Sequence, residues 1–278
     1  MNRRTASHCM RLVAGFSLIV ALVFDVLMFN TASAQSADLC TNAPLLIIAD
    51  GPSDMPSACT VAKGSFLAEG LYYQNASRFG GTALAAYPLM RMRVGVAQRT
   101  EFALDAPSEI AESGFAGAGV YTKTEPGYGL DYTFAEPARA DFSLRAEEEP
   151  PASRFTPSQA QPKTSVDITS GYHLSDRFTV STLLGESDGY TTSTMQRTER
   201  WFPISVFDLA FLADQRTQIS TDFGGKTIMR RASAQAFGDI SVARLLSRNL
   251  ALNLGLGTTF NPVAGTKAHY LALGVDCR

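Results

Sequence analysis

An exported all-β chain, closing into an antiparallel up-and-down transmembrane β-barrel of roughly 12 strands, is the fold class that this sequence predicts. Three observations predict it. The N-terminus carries an export pattern, polar and apolar residues alternate along most of the remaining chain, and short polar turns recur between longer polar connections.

The first element is the export pattern. Arg3, Arg4 and Arg11 precede an apolar run from Leu12 to Phe29, interrupted by Ser17 and Asp25, and the run closes on Thr31-Ala32-Ser33-Ala34. Ala32-x-Ala34 is the small-residue pattern of a cleavage site. A single-pass anchor is the alternative, because about 18 apolar residues can just span a bilayer. Asp25 and the cleavage pattern favour residues 1–34 as a signal peptide. The mature chain then runs over 35–278, with 21 basic and 25 acidic side chains and a net charge of −4. That balance gives no support for nucleic-acid binding, which needs a basic surface.

Residues 35–60 read as an N-terminal periplasmic segment ahead of a barrel over 61–278. Cys9 leaves with the signal, and Cys40, Cys59 and Cys277 remain. Cys40 and Cys59 bracket a stretch holding Pro44, Pro52 and Pro56, and an oxidising compartment lets them close that loop. Three idle or buried thiols are the alternative. No Cys-x-x-Cys or His cluster accompanies them, so no metal is expected.

From about Gly64 onward the period is two rather than 3.6. Along 90–95, Arg91, Arg93 and Gly95 share one face; along 99–105, Arg99, Glu101, Ala103 and Asp105 do. A turn centred near Ala97 sets Arg93 opposite Glu101, both inside. A slip of one residue brings Phe102 to Arg93 and mixes the faces. The same alternation recurs over 139–145, 165–169, 177–181, 249–254 and 270–276.

A soluble sandwich also alternates, so the direction of the apolar face decides. Mean hydropathy is near zero with 18% charged residues, which suits a greasy outside and a polar inside. No helix or second layer is evident to cover a single sheet. Tyr72, Tyr73, Tyr87, Tyr128, Tyr132, Trp201, Phe202, Phe223 and Phe260 fall near strand ends, as interfacial girdles require.

The connections agree. Val96-Ala97-Gln98-Arg99, Leu174-Ser175-Asp176-Arg177, Ala213-Asp214-Gln215-Arg216 and Leu246-Ser247-Arg248-Asn249 are short polar turns, each with an arginine. Longer connections are expected over 147–163, rich in Pro and Glu, and over 187–200, rich in Thr and Ser. Short turns face the periplasm in such barrels. The 147–163 stretch could instead link two domains, but the patterning is the same on both sides.

The wet face predicts a charged ladder inside the barrel: Arg91, Arg93, Arg99, Glu101, Asp105, Asp131, Arg139, Asp141, Arg145, Asp167, Arg177, Arg216 and Asp222, with Glu147. Both signs are mixed. A weakly selective water path and a salt-bridged core that plugs itself are both open, the path slightly favoured.

Several stretches resemble a known family. Ala49-Asp50-Gly51-Pro52-Ser53, then 63–70 with Glu69 and Gly70, resemble the opening of the MetA-like outer-membrane proteins named for phenol degradation. Residues 90–96 with Arg99-Thr100-Glu101-Phe102 are similar to that family's hairpin, and 235–239 with 245–250 to its closing hairpin region. The resemblance runs from about Ala49 to the C-terminus. It implies an outer-membrane barrel without defined catalytic residues, passing small hydrophobic or aromatic compounds. Two positions depart: Gly51 stands where the family has Arg, and the chain ends on Cys277-Arg278 without a terminal aromatic.

One motif matches a catalytic pattern. Gly185-Glu186-Ser187-Asp188-Gly189 is a G-x-S-x-G, but a nucleophile elbow needs a strand before it and a helix after it. Residues 190–194 read as a loop, and His173 lies tens of ångströms away along the barrel. The expected protein is therefore no enzyme and needs no cofactor or metal. Its expected partners are membrane lipid and a small solute. A closed binding or structural barrel, and a soluble periplasmic sandwich, are the alternatives.

Overall fold

The computed structural model describes residues 40, 43–50, 55–77, 83–107, 109–113, 119–123, 126–135, 139–149, 163–193, 196–226, 235–261 and 266–278. The export pattern over 1–34 lies outside the described residues.

One short helix, α1 (Leu45–Ile48), precedes the strands. These are β1 (Phe66–Ser77), β2 (Ala83–Ala97), β3 (Thr100–Asp105), β4 (Glu109–Ser113), β5 (Gly119–Lys123), β6 (Gly127–Ala135) and β7 (Ala140–Glu149). They continue as β8 (Lys163–Ser175), β9 (Phe178–Ser193), β10 (Gln196–Asp214), β11 (Thr217–Lys226), β12 (Gln235–Ser247), β13 (Leu250–Asn261) and β14 (Thr266–Cys277). Because β2 pairs with both β3 and β4, those two are halves of one wall strand, and β5 and β6 form the next. The wall thus has 12 antiparallel strands, and β1 closes it by pairing with β2 and β14. Among the described residues no second sheet packs on this one to make a sandwich.

Alternation gives the wall two faces. Met90, Met92 and Val94 on β2, Phe102 and Leu104 on β3, and Leu252, Leu254 and Leu256 on β13 are exposed outward. Arg93, Glu101, Asp131, Arg145, Asp222 and Asn253 are buried inward. Tyr128, Tyr132, Phe223 and Phe260 join the exposed outer face. Tyr73 does not: its ring lies 5.3 Å from that of the buried Tyr270. It shares the parity of Leu67 and Glu69 and so faces inward. The side chains of Tyr87, Trp201 and Phe202 lie outside the description. Among the described residues no helix is long and apolar enough to cross a membrane.

All four expected short turns sit at one end of the barrel, at residues 98–99, 176–177, 215–216 and 248–249. Each is preceded by one extra residue in its first strand, as is the 136–139 connection. The carbonyls of Arg99, Arg139, Arg177 and Arg216 then accept N–H bonds from Thr133, His173, Leu212 and Leu245, tying each turn to the next hairpin.

One expected register changes, because the turn lies at 98–99 rather than at Ala97 and the bulge before it offsets only one position of that move. Arg93 pairs with Ala103 and Gly95 with Glu101, so Arg93 and Glu101 are not directly opposite. The shift is two positions, which keeps both side chains on the inner face and leaves them diagonal neighbours. The connection expected over 187–200 is also corrected. β9 runs to Ser193 and β10 starts at Gln196, because a Thr-rich stretch has strand propensity that continues the hairpin.

Candidate functional site

The lumen contains part of the chain itself. Cys40 and Cys59 are joined by a disulfide, and the described residues between them lie inside the barrel at the short-turn end. Cys40, Ala43, Leu45, Leu46, Ile48, Cys59 and Val61 bury against Leu67 of β1 and Ala251 of β13, with Ala243 and Leu245 of β12 beside them. The segment that the sequence sets apart as a periplasmic arm is therefore an inner segment in its described part. At Gly64 the chain turns from it into β1, with φ +79°, a conformation open to glycine.

The other side of this segment meets charge. Arg93 donates from Nε to Glu101 at 2.6 Å, from Nη1 to the Ile48 carbonyl at 2.6 Å and to Asp50 at 2.9 Å, and from Nη2 to the Cys59 carbonyl at 3.2 Å. Glu101 also accepts the Val61 N–H at 2.6 Å. Thr133 donates to the Ala58 carbonyl and accepts the Thr60 N–H. Arg145 binds Asp131 at 2.7 Å and reaches Asp50 at 3.3 Å. Arg91 pairs with Glu147 and lies 3.7 Å from Asp105. Asp50 thus stands among three guanidiniums. Burial alone would raise its carboxyl, but Arg93, Arg145 and Arg91, with the Ser57 N–H, hold it well below the ordinary carboxylate range.

Of the expected ladder, Arg91, Arg93, Glu101, Asp105, Asp131, Asp141, Arg145, Asp167 and Asp222 stand on the inner face. Arg99, Arg139, Arg177 and Arg216 do not. They occupy the two-residue turns and, for Arg139, the end of the 136–139 connection, before the alternation of the next strand sets a face.

Elsewhere in the lumen only Asp222 was legible in the sequence. Asp208, Asp222 and Asp239 sit side by side across β10, β11 and β12. Asp239 accepts from Tyr270, and Asp276 accepts from the Asn253 amide. Asp208 lies in Ile204–Ala210, where apolar residues occupy both faces and hide the period. A cavity of about 90 Å³ separates the inner segment from this wall; Asp50, Met55, Asp141, His173, Asp208, Ser220, Asn253 and Asp276 line it.

The G-x-S-x-G stretch forms no nucleophile elbow. Ser187 lies within β9, directly opposite Ser165 and Phe202, in continuous strand rather than at an elbow or a loop. His173 bonds Asp141 at 3.0 Å and Thr179 at 3.1 Å, eight positions along β8 from Ser165, about 26 Å. Cys40, Cys59 and Asp141 converge, but both sulfurs are spent in the disulfide.

No family model and no curated protein matches the chain. Among solved structures, the NanC porin aligns over 75% of this chain and 99% of its own, with 5% identity and a TM-score of 0.52. The fold is that of an outer-membrane porin barrel. The KdgM porin aligns over 76% of this chain and 98% of its own, with 10% identity and a TM-score of 0.48.

Proposed function

We propose that this protein is a passive outer-membrane channel for small solutes, narrowed by its own N-terminal segment. The observation that carries this reading is a polar cavity beside the docked segment, inside a closed barrel whose outer face is apolar. A cavity lined by Asp, Ser and Asn side chains suits water and solutes rather than a packed core. The fold shared with a porin supports the same reading. Export by cleavage after Ala34, with insertion in the outer membrane, belongs to it.

The resemblance to MetA-like proteins extends the proposal to small hydrophobic or aromatic compounds. Met55, Leu183 and Val206, with Ile204 and Phe237 packed against them, offer an apolar patch inside the lumen for such a compound. A closed binding or structural barrel is the second reading, and the inner segment favours it. Planar-bilayer recording on the heat-modifiable band decides between them. Discrete conductance steps are expected. A band that shifts on boiling but carries no current overturns the channel and leaves the closed barrel.

A further inference from the structure

The two halves of the lumen differ in sign. Across β2 to β8, acids are interleaved with Arg91, Arg93 and Arg145. Across β9 to β14, the described inward side chains include Asp208, Asp222, Asp239 and Asp276, and no lysine or arginine. Arg278, just beyond β14, is turned to the Ala43 carbonyl.

Buried acceptors on this half lack donors. Asn253 is 4% exposed and lines the cavity; its amide nitrogen is committed to Asp276, and its Oδ1 has no hydrogen-bond partner. Oδ1 of Asp208 and Oδ1 of Asp239 are likewise buried without one. Such groups call for a donor-rich ligand, because an unmet buried acceptor costs its full desolvation. An ammonium group offers three donors and no acceptor.

The apolar patch adjoins these carboxylates. Val206 and Asp208 share the inner face of β10 two positions apart, about 7 Å, and Met55 and Asp208 line the same cavity. We infer that the β9–β14 half of the lumen takes small organic ammonium ions, the charge on Asp208, Asn253 and Asp276, the apolar body on Met55, Leu183 and Val206. This rests on the channel reading, and it names the solute class of that channel.

The test uses the full mature chain in planar bilayers under a KCl gradient, with benzylammonium chloride or potassium benzoate added to one side. The two probes share an apolar body and differ in the sign of their charge. Potassium is expected to permeate better than chloride, and benzylammonium to reduce the potassium current where benzoate does not. Asp208→Asn and, independently, Asp276→Asn are expected to raise the half-blocking benzylammonium concentration about tenfold, the loss of one charge-assisted bond. Asp214→Asn, at the exposed end of β10, is expected to leave it unchanged. Chloride preference, equal block by both probes, or unaltered block in heat-shifted Asp208→Asn and Asp276→Asn barrels overturns the inference while the channel stands. A heat-shifted wild-type barrel without current overturns the channel, and the inference with it.

Discussion

Arg93 donates to two carbonyls of the inner segment and to two carboxylates, so its loss strands several buried acceptors at once. With Arg93 and Glu101 both 0% exposed, truncating the cation leaves an uncompensated charge and costs roughly 3–5 kcal/mol. Arg93→Met is therefore expected to lower the urea midpoint of the folded barrel by that equivalent, read by heat-modifiable mobility. Arg93→Lys recovers little of it, because a point ammonium cannot reproduce the planar fork that reaches Glu101, Ile48 and Cys59 together. Gly95 tests the same junction sterically. A Cβ there would overlap the Ala62 carbonyl oxygen and lie 2.5 Å from that of Val61, both backbone atoms that cannot rotate away. Gly95→Ala is expected to push residues 61–62 off β2 and expose the inner segment to proteinase K, while the barrel still shifts on boiling.

For the inner segment as an element, covalent and ionic restraints act together. The Cys40–Cys59 bond closes a loop of sequence separation 19, for which chain entropy gives about 3 kcal/mol. Removing both cysteines as Cys40→Ser/Cys59→Ser should therefore raise proteinase K cleavage of the segment about a hundredfold, with barrel mobility unchanged. Asp50 sets the pH dependence. Its folded carboxyl is depressed by the three arginines, so its contribution is fully present above the ordinary value near 3.9 and is lost as pH falls through the lower folded value. Protease protection of the segment is expected to stay level from pH 8 to about pH 5 and to fall only in stronger acid; Asp50→Asn weakens it at every pH. A loss of protection already at pH 6 would show that another group governs docking. The pairing of Cys40 with Cys59 was readable from their bracketing of a proline-rich stretch. That the stretch lies inside the barrel was not, because its anchors are main-chain groups of Ile48, Cys59 and Val61, which carry no residue signal.

Across the whole molecule, period two and recurring polar turns made the 12-strand wall and all four two-residue turns legible. Each of these is repeated along the chain, and a repeated local pattern survives errors at single positions. Registers were less legible, since they depend on where a turn is centred and on the one extra residue before it, and the turn at 98–99 with its bulge leaves Arg93 two positions from its expected partner. Of the Asp208, Asp222 and Asp239 row only Asp222 was legible, because apolar residues on both faces of Ile204–Ala210 hide Asp208 and the register that aligns the three strands leaves no mark in the sequence. Barrel closure gives the inner segment its leverage over the lumen. It touches β1, β12 and β13 on one side and Arg93, Glu101 and Thr133 on the other, so it bridges the barrel rather than lining one wall. Deleting residues 43–60 removes that bridge but none of the strand pairing. The shortened protein is expected to retain its heat shift and to conduct several-fold more current per channel than the full chain. Because Arg93 and Glu101 then face water instead of the segment, its folded barrel should also be less stable to urea. Equal conductance before and after deletion would mean that the narrowest point lies elsewhere, and the segment would then be a structural brace alone.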